Sequence, residues 1–294
     1  MEIRDVLKTS SLPRLEIEIL LAFLLHKSRE FLLTHPNFRV SPSAFKRFKS
    51  LEVKRLKDWP IAYLIGSKEF YGLDFKVSPS VLTPRPETEK IVDDMIDIFK
   101  PKTSTSAYLA PILKPIVIDL GTGSGAIIIS VAKELKRLAP AAYRRAEFLA
   151  VDISAPALKV AKANAAHHGL GSKIKFYKGD LLAPLKLGKR DLSRYEIIIA
   201  ANLPYLTPQQ IRQATSISRE PLLALDGGSD GLKYYRVLFM QLSHLPAIRN
   251  LRIICEIDDA QAAKIKSLTA RYFPHLDSEI VYDLSGKKRY LALR

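Results

Sequence analysis

The stretch VIDLGTGSGAI (Val117–Ile127) joins an apolar run to the beginning of a helical pattern, and its glycines stand at 121, 123 and 125. Glycine lets the backbone turn sharply and lets a ligand approach without a Cβ in the way. The stretch therefore predicts a strand, a tight turn and a helix start. Gly121, Gly123 and Ala126 satisfy the loose G-x-G-x-x-G/A form of a dinucleotide loop, and a tight turn without a ligand is the simpler alternative.

Strand and helix patterns alternate through the chain beyond Pro86. The predicted strands are KPIVIDL, AEFLAVDIS, KIKFYKGD, YEIIIAAN and LRIICEI, and the predicted helices are GAIIISVAKELKRL, APALKVAKANAAHHG, GLKYYRVLFMQLSHL and DAQAAKIKSLTARYF. The last stretch, SEIVYDLSGKKRYLALR, predicts a hairpin that turns near Gly286. This alternation predicts an α/β fold with a mainly parallel, doubly wound sheet and an antiparallel C-terminal hairpin.

The front of the chain has a different pattern and predicts a separate domain. Residues 1–75 are mostly of helical periodicity, and Ser41-Pro42 has the composition of a helix start. We predict a small N-terminal helical domain at 1–75, a hairpin and linker at 76–90, and a second domain, which contains the glycine loop, at 91–294. The Ser and Thr residues of PKTSTSAYLAP (101–111) predict a flexible connection.

Composition and charge limit the classes of function. The chain has 294 residues, 47% of them hydrophobic, and a formal net charge of +16. A positive surplus favours anionic partners, but the basic residues are spread out, and the densest run, KRFKSLEVKRLK (46–57), is typical of a solvated helix face. One cysteine excludes an internal disulfide, and neither a secretory signal nor an apolar run of about 20 residues is found. We therefore expect a cytoplasmic protein without a membrane partner.

Acidic residues follow two further predicted strands. Asp152 ends the second strand, where a carboxylate can accept both hydroxyls of a ribose, and Asp180 ends the third, where it could accept from an adenine amino group. Nicotinamide dinucleotides and S-adenosylmethionine both carry such a ribose, so Asp152 does not separate them. A turn cap is the alternative for Asp180. Because parallel strands end at one edge of a sheet, we expect these residues to lie near the glycine loop.

The fourth predicted strand ends in Asn202-Leu203-Pro204-Tyr205. The Asn202 side-chain oxygen and a backbone carbonyl, that of Leu203, can accept the two hydrogens of a planar –NH₂ group, while Pro204 restrains the chain and Tyr205 offers a flat face. Held in this way, a weakly nucleophilic nitrogen can be aligned with a methyl sulfonium. Glutamine amide, adenine N6 and cytosine N4 all fit, and an ordinary strand-to-loop turn is the alternative.

Three stretches carry a resemblance to a known family. They are Trp59–Glu89 with its Pro-Arg-Pro-Glu-Thr-Glu signature, DLGTGSGAI (119–127), and Ser218–Arg236 (SREPLLALDGGSDGLKYYR). Together with the helical front and the closing hairpin, they resemble the protein-(glutamine-N5) methyltransferases that modify peptide chain release factors. The resemblance implies a Rossmann-like methyltransferase sheet, S-adenosyl-L-methionine as the cofactor, and methyl transfer to the glutamine of a Gly-Gly-Gln motif. It also implies that residues 1–75 recognise the substrate and that residues 91–294 form the S-adenosylmethionine-dependent methyltransferase domain.

The resemblance also implies roles for individual residues. The cofactor would be bound by Gly121, Thr122, Gly123, Ser124, Gly125, Asp152, Asp180, Leu181 and Asn202. The substrate glutamine would be bound by Asn202, Leu203, Pro204 and Tyr205, of which Asn202, Pro204 and Tyr205 are the predicted catalytic residues. Arg85-Pro86-Glu87 would cap the cofactor pocket, and a linker that enters a helix is the alternative for that segment.

One departure from the family pattern keeps other substrates open. The family usually has Asn-Pro-Pro-Tyr, and the form found here, Asn-Leu-Pro-Tyr, also occurs in ribosomal RNA adenine dimethyltransferases. An RNA or DNA amino-methyltransferase, a methyltransferase of ribosomal-protein glutamine, and a non-catalytic binding protein are therefore the alternatives. We expect a release factor as the protein partner, with nucleic acid compatible but not required, a monomer, and no metal, because the histidines show no ligand spacing.

Overall fold

The computed structural model describes residues 1–100, 113–245 and 250–294, which form two compact units. One unit comprises Met1–Ser67 with Ala214–Arg219, and the other comprises Lys68–Gln213 with Glu220–Arg294. The predicted domain limits at 75/76 and 90/91 stay predictions. The predicted flexible connection at 101–111 lies outside the described residues.

The first unit is built from short helices around an apolar core. Their bounds are α1 Ile3–Thr9, α2 Arg14–Leu25, α3 Arg29–Thr34, α4 Pro42–Arg55 and α5 Ile61–Ile65. The predicted start at Ser41-Pro42 is confirmed, because the Ser41 hydroxyl accepts a hydrogen bond from the Ala44 N–H at 3.2 Å. Leu20, Leu21 and Phe48 are completely buried and hold the helices together.

The second unit is a sheet covered by helices on both faces. Hairpin strands β1 Ser67–Phe70 and β2 Leu73–Lys76 form a small separate sheet. The large sheet contains β3 Lys114–Leu120, β4 Glu147–Asp152, β5 Ile174–Lys178, β6 Tyr195–Ala201, β7 Leu251–Glu256, β8 Ser278–Tyr282 and β9 Lys288–Leu293. The helices are α6 Glu89–Asp97, α7 Ala126–Leu138, α8 Pro140–Arg145, α9 Ala155–His167, α10 Pro208–Gln213, α11 Lys233–Ser243 and α12 Ala262–Tyr272.

The strands of the large sheet lie in the order β5-β4-β3-β6-β7-β9-β8. β9 pairs antiparallel with both β7 and β8, and the other pairs are parallel. The predicted doubly wound sheet with an antiparallel C-terminal hairpin is therefore confirmed. No helix in the described part of the chain is long and apolar enough to cross a membrane.

The alternation of side chains along β6 explains why both faces of the sheet are covered. Ile197 and Ile199 belong to the core formed with α11 and α12, whereas Ile198 and Ala200 belong to the core formed with α6 and α7. All four side chains are completely buried. A strand that is apolar on both faces is typical of a parallel sheet between two helical layers.

Candidate active site

Three neighbouring strands end at the same level of the sheet. Leu120, the last residue of β3, pairs with Val151 of β4 on one side and with Ala201 of β6 on the other. Gly121, Asp152 and Asn202 therefore follow at one edge, where the strand order reverses beside β3. Ligands of open α/β sheets bind in this position. A cavity is present there, and the three residues line it.

The loop after β3 needs glycine at its turns. Gly121, Gly123 and Gly125 have φ values of 68°, 55° and 82°, which side chains rarely adopt. A Cβ on Gly125 would lie 2.9 Å from Ile129 Cδ1, and a Cβ on Gly121 would lie 3.3 Å from Leu203 Cδ2. The loop therefore passes close to both the helix that follows it and the loop after β6, and its open backbone suits a ligand that must approach closely.

A buried acid lies beneath this loop and was not predicted as a site residue. The Thr122 hydroxyl donates to Asp119 Oδ2 at 2.6 Å, and Asp119 Oδ1 has no hydrogen-bond partner among the described residues. Burial raises the pKa of Asp119 to about 7, although the hydrogen bond from Thr122 opposes the rise. Asp119 is not among the residues that line the cavity, and its side-chain contact with the loop is the hydrogen bond from Thr122.

Asp152 fixes the glycine loop from the neighbouring strand. Its carboxylate accepts the Gly123 N–H at 2.9 Å and the Ser154 N–H at 2.8 Å. Burial raises the pKa of Asp152, and the two backbone hydrogen bonds oppose this rise without cancelling it. A carboxylate has about four acceptor positions, so the remaining ones are available for ribose hydroxyls. The residues present therefore fit S-adenosylmethionine.

We expect Asp152→Ala to raise the dissociation constant for S-adenosylmethionine by about 10- to 100-fold, because a hydrogen bond to a charged group contributes about 1.5–3 kcal/mol. Isothermal titration calorimetry measures the effect. Asp74→Ala, which removes an exposed aspartate of β2, is the matched control and should leave the affinity unchanged. Unchanged affinity in a folded Asp152→Ala protein would remove the ribose role from Asp152.

Asp180 and Leu181 line the same cavity at the end of the third strand. The Gly179 N–H donates to the Asp152 backbone oxygen at 3.1 Å, which ties this strand end to the second. Leu181 is buried and has φ +49°, a conformation that is uncommon for residues other than glycine. Strained backbone of this kind is concentrated at functional sites. The adenine contacts of both residues stay predictions.

Asn202 is oriented by a residue of the linker signature. Its side-chain nitrogen Nδ2 donates to Thr88 Oγ1 at 3.0 Å, and its Oδ1 accepts no hydrogen bond from the described residues. The Thr88 hydroxyl in turn donates to Glu256 Oε2 at 2.7 Å. Sequence reasoning placed Thr88 only in a linker signature and did not single out Glu256. The available acceptor of Asn202 is the oxygen that the predicted clamp requires.

The remaining residues of the clamp occupy different positions. Leu203 and Pro204 line the cavity. Tyr205 is not among the lining residues; its hydroxyl donates to Glu256 Oε1 at 2.9 Å, and its backbone oxygen accepts from Gln261 Nε2 at 2.7 Å. An aromatic ring that does line the cavity is that of Tyr234, which sequence reasoning missed. The role of the Tyr205 face toward a substrate stays a prediction.

The Pro-Arg-Pro-Glu-Thr-Glu signature contributes Pro84, Arg85 and Thr88 to the wall of the cavity. Arg85 lines the cavity and forms an ion pair with Glu220, whose side chain is completely buried. Glu220 also accepts the Thr83 N–H at 3.2 Å. Pro86 and Glu87, predicted to cap the pocket with Arg85, are not among the lining residues. The buried carboxylate of Glu220 therefore links the backbone at Thr83 to the guanidinium group of Arg85.

Within the three described ranges, no group of three or more His, Cys, Asp or Glu side chains is arranged to hold a metal ion. Cys255 is a buried free thiol, and burial raises its pKa. The expected absence of a metal stays a prediction.

Comparisons with known proteins match both parts of the chain. The family described as PrmC N-terminal domain matches residues 1–66, and the family described as methyltransferase domain matches residues 114–222. The release factor glutamine methyltransferase of Bacillus subtilis is 35% identical over 278 residues, which cover 94% of this chain and 89% of the relative. The protein of the same name from Coxiella burnetii is 36% identical over 288 residues, which cover 97% and 93%.

Solved structures also resemble the chain. The methyltransferase domain of METTL16 aligns with a TM-score of 0.54 at 19% identity and covers 87% of this chain and 98% of its own. The N-terminal domain of human METTL16 in complex with SAH aligns with a TM-score of 0.50 at 18% identity and covers 93% of each chain. At this level of identity the likeness concerns the fold alone.

Proposed function

The chain belongs to the release factor glutamine methyltransferase family, and from this membership we propose that it methylates the side-chain amide nitrogen (N5) of a glutamine in peptide chain release factors. The methyl donor is S-adenosyl-L-methionine, and the acceptor is the glutamine of the Gly-Gly-Gln motif. This enzyme class agrees with the match to a methyltransferase domain over residues 114–222.

One observation carries the proposal: the cofactor loop and the predicted amide clamp lie against each other. A Cβ on Gly121 would lie 3.3 Å from Leu203 Cδ2 and 3.8 Å from the Asn202 backbone oxygen. A donor on the glycine loop and an amide held at Asn202 would therefore share one cavity. Such proximity converts a reaction between two bound molecules into an effectively unimolecular step.

When bound, S-adenosylmethionine supplies a methyl group on a positively charged sulfur. An amide nitrogen attacks such a group poorly, because its lone pair is delocalised into the carbonyl. Asn202 Oδ1 accepts one amide hydrogen and the Leu203 carbonyl accepts the other, so that the lone pair is directed at the methyl group. The bound donor would supply the methyl group and keep the electrons of its S–C bond, and the amide nitrogen that gains the methyl group would lose one proton to water. Positioning is the main contribution of the protein.

The proposal is tested with heavy-methyl S-adenosylmethionine and three acceptors: a release factor, ribosomal RNA and duplex DNA. We expect one labelled methyl group on the glutamine of the Gly-Gly-Gln peptide, detected by mass spectrometry. A release factor with glutamate at that position is the matched control, because it keeps the shape of the side chain and lacks the –NH₂ group. Label in RNA or DNA with none in the peptide would overturn the proposal and assign the clamp to a base.

We also propose a cytoplasmic location and action as a monomer. Release factors act on ribosomes, and the cavity described above has walls from a single chain. Light scattering of the purified protein should give the mass of one chain. After incubation with the release factor and separation from it by gel filtration, the protein should again give the mass of one chain. A stable mass of two chains would contradict the monomer.

A further inference from the structure

We propose that Glu256 is a positioning residue, which through Thr88 turns the side-chain oxygen of Asn202 toward the substrate and at the same time anchors Tyr205. The inference rests on the proposed function, since it concerns the same clamp. Glu256 is not among the residues that line the cavity, and its side-chain carboxylate accepts hydrogen bonds from two hydroxyl groups, those of Thr88 and Tyr205.

The contacts form one continuous chain of hydrogen bonds. Asn202 Nδ2 and Thr88 Oγ1 are 3.0 Å apart, Thr88 Oγ1 and Glu256 Oε2 are 2.7 Å apart, and the Tyr205 hydroxyl and Glu256 Oε1 are 2.9 Å apart. Glu256 and Thr88 are buried, with 2% and 4% of their surface exposed, so little water competes for the bond between them. Both ends of the Asn-Leu-Pro-Tyr segment therefore converge on one carboxylate.

The chemistry of the three groups fixes the direction of each bond. An ionised carboxylate only accepts hydrogen bonds, so the Thr88 hydroxyl must donate to Glu256. That hydroxyl has a single hydrogen, so toward Asn202 it can only accept, and the partner atom must be the amide –NH₂. Asn202 Oδ1 is then left for the substrate. A carboxylate at position 256 thus determines which atom of the Asn202 amide is available to the substrate. Shape alone would not determine this, because the oxygen and the nitrogen of the amide are nearly equal in size.

Protonation of Glu256 would allow the hydrogen bonds between Glu256, Thr88 and Asn202 to reverse. Burial raises the pKa of Glu256, the hydrogen bonds from Thr88 and Tyr205 lower it, Arg289 of β9 lowers it, and Glu87 raises it. Two further phenols, those of Tyr235 and Tyr290, lie nearby, and the Tyr235 hydroxyl donates to the backbone oxygen of Glu256. A protonated Glu256 could donate to Thr88, which would then donate to Asn202 and hold Oδ1 instead of Nδ2.

The titration of Glu256 has opposite effects on stability and on activity as the pH changes. Because the pKa of folded Glu256 lies above its unfolded value, its contribution to stability is fully present at low pH and is lost as pH rises through the folded pKa. The orientation of Asn202, in contrast, requires the ionised form and is lost as pH falls through the same pKa. A residue with only a structural role would show the first trend without the second.

The first test compares Thr88→Val, which keeps the size of the side chain and removes its hydroxyl, with Thr88→Ser, which keeps the hydroxyl and removes the methyl group. At saturating S-adenosylmethionine we expect Thr88→Val to lower kcat for release-factor methylation by about 10- to 100-fold. The dissociation constant for S-adenosylmethionine should remain within about threefold of the wild-type value, and Thr88→Ser should recover most of the activity. If Thr88→Val keeps the wild-type kcat, the inference is wrong.

The second test uses the pH profile of kcat for the wild type and Glu256→Gln. At saturating cofactor, kcat reports the groups that titrate in the enzyme–substrate complex, and the comparison with Glu256→Gln separates Glu256 from Asp119 and Asp152, whose pKa values are also raised. We expect an acidic limb in the wild type and its absence in Glu256→Gln, with lower kcat at neutral pH, since glutamine can present either an acceptor or a donor to Thr88. An unchanged acidic limb in a folded Glu256→Gln protein would overturn the inference.

A third readout does not depend on the acceptor. We expect the side-chain amide hydrogens of Asn202 to exchange slowly with solvent by NMR at neutral pH, and to exchange faster in Thr88→Val. A wild type that methylates no glutamine refutes the proposed function, whereas the exchange result still decides whether Thr88 holds the Asn202 amide. Equal exchange in the wild type and Thr88→Val, together with normal glutamine methylation by both, would refute the inference alone.

Discussion

Asn202→Ala should lower kcat for methylation of the release-factor glutamine by roughly 10²- to 10³-fold, the size of loss that follows removal of one group that orients a reacting centre. The substitution removes Oδ1, the acceptor that no described residue occupies, and it also leaves the Thr88 hydroxyl without its donor. Single-turnover kinetics with heavy-methyl S-adenosylmethionine measure the rate of transfer itself.

Asn202→Asp is the informative comparison for this prediction. Aspartate keeps an oxygen toward the cavity but cannot donate to Thr88, and it brings a second carboxylate toward Glu256 through that hydroxyl. We expect it to lose activity almost as completely as Asn202→Ala. Wild-type kcat in a folded Asn202→Ala protein would show that another group holds the amide.

Gly231→Ala should produce the largest loss of stability among the substitutions considered. Gly231 has φ +72°, and a Cβ there would lie 2.1 Å from the Tyr205 backbone oxygen and 2.0 Å from Gln261 Nε2. The backbone atom cannot move without shifting the Asn-Leu-Pro-Tyr segment. We expect a loss of at least about 3 kcal/mol, which corresponds to a fall in Tm of about 6–12 °C, and a loss of methyl transfer.

Gly286→Ala is the control for Gly231→Ala. Gly286 has φ +78°, close to that of Gly231, but no atom lies within 4 Å of the Cβ it would carry. Its substitution therefore adds only the strain of a left-handed backbone, about 1 kcal/mol, or about 2–4 °C in Tm. Equal losses at the two glycines would show that the close approach to Tyr205 does not matter.

Local patterns in the chain predicted most of the fold. Strand β6 was recognisable because Ile197, Ile198 and Ile199 must be buried on both faces, and the turn after β3 because Gly121, Gly123 and Gly125 adopt positive φ. These are properties of a residue and its neighbours in sequence, which is why they are readable without coordinates.

The sequence also predicted which residues lie at the carboxyl edge of the sheet, but not that the three strands end at the same level. That β3, β4 and β6 would each end at, or directly before, a polar or glycine residue follows from the sequence. That Leu120 pairs with both Val151 and Ala201, which brings Gly121, Asp152 and Asn202 to one level, is a matter of register. Register depends on packing of the whole sheet and not on any one strand.

The sequence by itself determined the class of fold, and it predicted the cofactor loop and Asn202 as the acceptor beside it. Only the tertiary structure decided which atom of Asn202 faces the cavity. That choice depends on Thr88, 114 positions away, and on Glu256, 168 positions from Thr88. Threonine and glutamate have no local pattern that distinguishes a positioning pair from an ordinary cap and an ordinary strand residue. Hydrogen-bond direction becomes defined only when folding buries these groups together and excludes water as the alternative partner.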